Sequence, residues 1–285
     1  MNNTPYGRWA SQIIGFQHED GSWGCFHSLS QPTKAQPYTT EQALRRLYIL
    51  GLTKDDEPIA RALKYMRDCL AGNRHPPDRR EKVLNWDAFE AHMMSTWIRR
   101  FEPDDPAALD VARMWADIVT PSFRSGIFDE AVYAYEYRKC IPELNKGERL
   151  ISLPQFYMVN LLKDMLDMET ESRFIDFIIN NAGGIYYVYN NKIADLPVDF
   201  TAKLTTFYLS ALEQLAGYRL AGDKLGYAVQ WILDNRDENG EWDLGIQAKD
   251  GANFPLSDSW RKPEDRKRDC TLRIMKLLNK LGVGD

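Results

Sequence analysis

The sequence predicts an all-α chain with its helices in pairs. Apolar residues recur at three- and four-residue spacing along most of its length. Helix starts are marked by capping residues or prolines, and no run alternates with period two for long enough to build a sheet. A turn that ends one helix also recurs near both ends of the chain, as Gln17-x-x-Asp20-Gly21-x-Trp23 and Asn235-x-x-x-x-Gly240-x-Trp242. In each, a glycine free to take positive φ stops the helix, and the indole two residues on can plug the end of a neighbour.

The first amphipathic stretch, residues 6–16, leads into the first of these turns. A helix over 39–52 starts at Thr39-Thr40 before Glu41, and one over 58–70 starts at Glu57-Pro58. Residues 86–101 and 106–119 follow, the latter opened by Asp105-Pro106, and 135–140 reads as a further helix. Leu153-Pro154 opens a helix over 154–168, and 171–180, 200–215, 223–233 and 264–281 complete the series. Residues 185–189 are the one strand-like stretch.

Weaker copies of the turn lie between the strong ones. Ser125-Gly126-Ile127-Phe128 and Gly183-Gly184-Ile185-Tyr186 keep the glycine-x-aromatic step, so the glycines are spaced by 105, 58 and 56 residues. Half the long interval falls near Ala71-Gly72-Asn73, where no aromatic follows. The pattern reads as five irregular units of roughly 50–60 residues.

With 285 residues, 44% of them hydrophobic, the chain can bury a substantial core. No linker-like segment divides it, which predicts a single domain over 1–285. A net charge of −5 gives no nucleic-acid footprint, and Arg261, Lys262, Arg266, Lys267 and Arg268 read as a solvated face diluted by Glu264, Asp265 and Asp269. No apolar run approaches the roughly 20 residues that span a bilayer. The opening Met1-Asn2-Asn3-Thr4 is polar, and Cys25, Cys69, Cys140 and Cys270 have no paired spacing. A cytoplasmic protein with reduced thiols is expected.

The segment Gln17-His18-Glu19-Asp20-Gly21-Ser22-Trp23-Gly24 resembles the QW repeat of squalene–hopene cyclases, in the wider terpenoid cyclase and prenyltransferase superfamily. The match is close at 17–24, fair at 230–242 and suggestive at 125–128 and 183–186. The resemblance implies an α/α toroid, a barrel of about five to six helical hairpins, with inner helices ringing a hydrophobic cavity. It implies a hydrophobic small-molecule substrate and no cofactor.

Three inner-helix starts carry an aspartate: Asp87 in Trp86-Asp87-Ala88-Phe89, Asp199 in Val198-Asp199-Phe200-Thr201-Ala202, and Asp269 in Arg268-Asp269-Cys270-Thr271. The ordinary reading of each is a helix N-cap; the sharper one is a catalytic acid or base at the cavity mouth. Pro197-Val198-Asp199-Phe200-Thr201-Ala202 is similar to the cyclase motif Asp-x-Asp-Asp-Thr-Ala, whose middle acid protonates an alkene. Here only the middle acid and Thr-Ala match, so Asp199 lacks the carboxyl neighbours that would help hold its proton. Asp55-Asp56 and Asp104-Asp105 read as caps and first-turn charges.

Trp86, Phe89, Tyr157, Phe200, Tyr38 and Trp260 are candidate substrate-binding rings, able to line a cavity and face a carbocation or to pack in the core. The segment 245–268 is long for a helix connection and reads as a cover over the cavity mouth. No metal site is expected: Asp269 and Cys270 are adjacent where a prenyltransferase has Asp-x-Cys, and Cys25-Phe26-His27 offers two ligands without a visible set of four.

Three functions follow from these residues. One is acid–base chemistry on an isoprenoid or other hydrophobic substrate, with Asp199 central. Another is a carbohydrate-active toroid that uses Asp87 with Asp199 or Asp269 as paired carboxylates. The third is a non-catalytic binding or scaffold protein.

Overall fold

A computed structural model describes residues 6–27, 29–30 and 32–284; the polar opening tetrapeptide lies outside them. The described residues form twelve α-helices and no strand. The chain falls into two compact units, one running up to Ala112 with Glu143–Ile151, the other made of Arg113–Pro142 and the residues from Ser152 on.

The first unit opens with α1 (Arg8–Ile14) and α2 (Thr40–Ile49), which pack together. Thr39 and Gln42 close a reciprocal capping box at the start of α2, satisfying donors that a helix end otherwise leaves orphaned. α3 (Glu57–Leu70) carries Pro58 in its first turn and lies along α4 (Trp86–Phe101). Asn85 caps α4 by accepting the Ala88 N–H at 3.1 Å. The core holds Leu44, Leu47, Ile59, Met66, Met93 and Trp97, all fully buried. Each such side chain contributes about 1.5–3 kcal/mol by leaving water. Where the sequence predicts Asp105 as a cap, it accepts the Ala108 N–H at 3.0 Å at the start of α5 (Pro106–Val119).

In the second unit, Asp129 caps α6 (Glu130–Cys140) through the Ala131 and Val132 N–H groups. α7 (Phe156–Leu161) is much shorter than the helix expected over 154–168. Asp164 takes φ of 62°, which stops the helix, and Asp167 caps a new one, α8 (Met168–Asn180), through Thr170. A tight hairpin links α8 to α9 (Lys203–Leu215), its Ile185–Tyr189 and Gln155–Tyr186 contacts being isolated bridges. α9 begins three residues later than expected because Asp199 and Thr201 close a turn of their own ahead of it. The helix expected over 223–233 is α10 (Ala221–Lys224) followed by α11 (Gly226–Asp234). The last, α12 (Pro263–Lys280), packs on α9, as does the short 3-10 turn Ile246–Ala248.

Candidate functional site

The two strong glycine–tryptophan turns are built alike, bond for bond. In the first unit the Trp23 indole N–H donates to the Ile13 carbonyl, ten residues back, at 2.8 Å. Its backbone N–H donates to the Thr40 hydroxyl at the start of α2 at 2.9 Å. In the second unit the Trp242 indole N–H donates to Ile232, again ten residues back, at 2.7 Å, and its backbone N–H to the Thr271 hydroxyl on α12 at 3.1 Å. Both indoles are fully buried, and Gly21 and Gly240 hold φ of 92° and 82°. Each turn therefore fastens the helix before it to the side of another helix.

The weaker copies do not repeat this. At 125–128 the glycine has positive φ, but Phe128 is half-buried in a cluster with Phe123 and Phe177. At 183–186 the aromatic Tyr186 is exposed, and Ile185 is the buried residue. Gly72 has φ of 74° at the end of α3, with no ring behind it.

None of the three aspartates is an N-cap, which corrects the ordinary reading of them. Asp87 stands in the first turn of α4, whose cap is Asn85; it is exposed and paired with Arg80. Asp199 lies ahead of α9, where Ala202 occupies the cap position without a side-chain bond. It is exposed, and its Oδ1 accepts both the N–H and the hydroxyl of Thr201, each at 2.8 Å. Asp269 sits seven residues into α12 and is only 1% exposed. Its carboxylate accepts the Leu256 N–H at 2.8 Å, the Ser257 N–H at 3.0 Å and the Ser257 hydroxyl at 2.9 Å.

Asp269 thus holds down the connection between Gly245 and α12. That connection also buries Phe254 and Trp260, whose rings lie 4.6 Å apart, and the Trp260 indole donates to Ile246 at 2.9 Å. Arg273 of α12 lies over the Phe254 ring while its guanidinium bonds Glu213, Thr206 and Ser210. Asp78 does comparable work in the first unit, accepting the His27 N–H at 2.9 Å, the Ser30 hydroxyl at 2.8 Å and the Phe26 N–H. No local sequence signal marks Asp78, because its partners lie about fifty residues away.

The candidate rings are engaged in packing. Trp86 and Phe89 contact each other, and Phe89 also meets His27; all three are buried. Tyr38 is half-buried against Phe16. Tyr157 is fully buried between Phe156 and Tyr187, and Phe200 packs on Trp231.

An open depression of about 430 Å³ lies in the second unit, lined by Tyr189, Asn191, Lys192, Asp195 and the exposed aliphatics Leu196 and Val198. Three of the five basic residues near the start of α12 are paired in place: Arg266 forks onto Asp243 at 2.7 Å, Lys267 pairs with Asp237 at 2.6 Å and Arg268 with Asp265 at 2.7 Å. Among the described residues no cluster of three or more His, Cys, Asp or Glu is placed to hold a metal ion, and no helix is long and apolar enough to cross a membrane. No protein-family model, curated protein or solved structure matches the chain.

Proposed function

We propose that the protein is a non-catalytic binding or scaffold protein built on paired helices and glycine–tryptophan turns, an α/α toroid in the arrangement the QW resemblance implies. The observation that carries this reading is Asp199. Alkene protonation calls for a carboxylic acid kept away from water and held protonated, whereas Asp199 is open to solvent and bonded within its own turn. Asp269 is covered by its own loop, so a cleft presenting it beside Asp199, as glycoside hydrolysis would need, is not favoured either.

Packing between the helices of the second unit supports the same conclusion. Asn160 of α7 bonds Gln214 of α9 at 3.1 Å, and Arg273 of α12 bonds Glu213 of α9 at 2.7 Å. Polar bonds of this kind between facing helices favour a packed interior over an apolar channel. Four free thiols fit a reducing compartment, and we place the protein in the cytoplasm.

A second reading, a hydrophobic-substrate enzyme of the cyclase or prenyltransferase type, draws on the doubled tryptophan turn and keeps Asp199 as its acid. Incubation with squalene and with geranylgeranyl diphosphate separates the two. Unchanged substrate with both wild type and Asp199→Asn is expected; product from wild type that disappears in the variant would overturn the binding-protein reading.

A further inference from the structure

The glycine–aromatic turns differ in what covers them. In all four the glycine N–H closes the turn on the carbonyl three residues back, at 3.0 Å: Gly21 on His18, Gly126 on Phe123, Gly184 on Asn181 and Gly240 on Asp237. In two of them that carbonyl takes a second donor from the helix that docks there. Arg61 of α3 donates to the His18 carbonyl in the first unit, and Arg173 of α8 to the Phe123 carbonyl at 2.7 Å in the second. Each arginine also holds a glutamate one helical turn earlier, Glu57 and Glu169. At Gly184 the chain covers its own turn, since a Cβ there would lie 2.1 Å from the Tyr189 carbonyl oxygen.

The turn at Gly240 is the exception. Its indole and backbone bonds match those of the first turn, yet among the described residues the Asp237 carbonyl accepts from Gly240 alone. A Cβ at Gly240 would meet nothing within 4 Å, where one at Gly21 would run into the backbone of α3. The last turn is a docking surface without its helix. Its rim is acidic, with Asp234 and Glu238 exposed and Glu241 half-buried. A matching helix start stands beside it. α12 opens with Glu264 second and Arg268 sixth, the positions that Glu169 and Arg173 hold in α8. Glu41 and Arg45 repeat the spacing in α2, but Glu41 is buried and accepts the Trp97 indole. Arg268 is 59% exposed and follows the exposed Arg261 and Lys262. Arg266 and Lys267 tie the start of α12 to this same turn, so a basic and an acidic edge lie side by side on one face.

We propose that this face pairs with the same face of a second copy of the chain, the start of each α12 seated on the glycine turn of the other. A two-fold axis between the basic and acidic edges brings Arg268 of one copy to the Asp237 carbonyl and Glu238 carboxylate of the other, and symmetry supplies the reverse contact. Arginine suits the role because its fork of donors can hold a carbonyl and a carboxylate together. Two chains of net charge −5 repel unless their acidic edges meet basic ones, and this arrangement does that twice. A nucleic acid or an anionic membrane laid on the basic edge would meet Asp234, Glu238 and Glu241 beside it. The contact involves neither Asp199 nor a proton transfer, so it goes beyond the binding-protein reading and stands or falls apart from it.

Sedimentation velocity of the full chain tests the pairing. A monomer–dimer equilibrium is expected, with Kd of about 100 μM or tighter, weakening as NaCl rises from about 50 to 500 mM. Arg268→Glu and Glu238→Arg should each weaken it about tenfold or more at unchanged Tm. An equimolar mixture of the two variants should regain the dimer, because both contacts of the mixed pair then join opposite charges. A wild-type chain that stays monomeric up to about 300 μM overturns the proposal, as does a dimer indifferent to both substitutions or a mixture that fails to pair. A monomer whose Gly240 turn instead binds a synthetic helix carrying Glu-x-x-x-Arg would assign the surface to another protein, and it too overturns the second-copy assignment. None of these results alters the reading of Asp199.

Discussion

Replacing Asp269 with asparagine is a direct probe of what the buried carboxylate does. Three donors converge on it: the Leu256 N–H, the Ser257 N–H and the Ser257 hydroxyl, at 2.8 to 3.0 Å. The side chain is 1% exposed, so water cannot replace a lost partner. Hydrogen bonds to a charged acceptor contribute about 1.5–3 kcal/mol each. All three donors reach the same oxygen, Oδ2, so an asparagine that puts its amide oxygen there keeps them, but as bonds to a neutral acceptor, each weaker by about 1–1.5 kcal/mol. The expected cost is roughly 3–5 kcal/mol, which at about 2–4 °C per kcal/mol lowers Tm by roughly 6–20 °C. Hydrogen exchange should quicken selectively across 246–262, the segment that Asp269 anchors. A Tm within about 2 °C of wild type, with unchanged exchange there, would refute the assignment of Asp269 as an anchor.

Further outcomes follow from the turns, thiols and carboxylates. A Cβ at Gly21 would lie 2.4 Å from the Arg61 carbonyl oxygen, whereas one at Gly240 meets nothing within 4 Å. Alanine should therefore cost about 1–2 kcal/mol at Gly240, from φ alone, and about 3 kcal/mol or more at Gly21; equal costs by urea denaturation would contradict the close approach. Burial pushes the Cys69 and Cys270 thiols up to about 12 and raises Cys25, while Cys140 is exposed. Ellman's reagent at pH 8 should label Cys140 first, Cys25 more slowly, and the other two only after unfolding. The Asp167 carboxyl is held below its ordinary range by the Thr170 N–H and hydroxyl, and Asp237 by the Lys267 ammonium. Both lose protons more readily folded than unfolded, so their contribution is intact above about pH 4 and lost as pH falls below it. The urea midpoint should hold from pH 6 to about 4.5 and then drop; a midpoint flat to pH 3 would contradict that linkage.

Local signals in the sequence carried the helices well where a cap or proline stands in plain view. Thr39 caps α2 and Pro106 opens α5, whose limits match the periodicity, while α4 keeps its expected limits although its cap is Asn85 and not Asp87. Elsewhere the competing signal was a single backbone choice. Asp164 with positive φ and Asp167 as a cap split what reads as one apolar helix over 154–168. The strong turns at Trp23 and Trp242 were legible because glycine and indole stand two residues apart, while the partners Thr40 and Thr271 emerged only in three dimensions.

The site was less legible for the same reason. Asp199, Asp87 and Asp269 look alike beside their helices, but their surroundings come from residues distant in sequence or from a turn no periodicity reveals. Asp269 is buried by a loop whose anchored residues, Leu256 and Ser257, lie about a dozen residues before it, and Asp87 is met by Arg80 from the preceding loop.

The central claim is that Asp199 does not deliver a proton to an alkene. The most direct measurement is incubation of the wild-type protein with squalene in D₂O, followed by mass spectrometry of the recovered hydrocarbon. A cyclisation begun by an enzymic acid places one solvent-derived deuteron on carbon. Squalene recovered without deuterium is the predicted result. A cyclised product carrying one deuterium, formed by wild type and absent with Asp199→Asn, would contradict it.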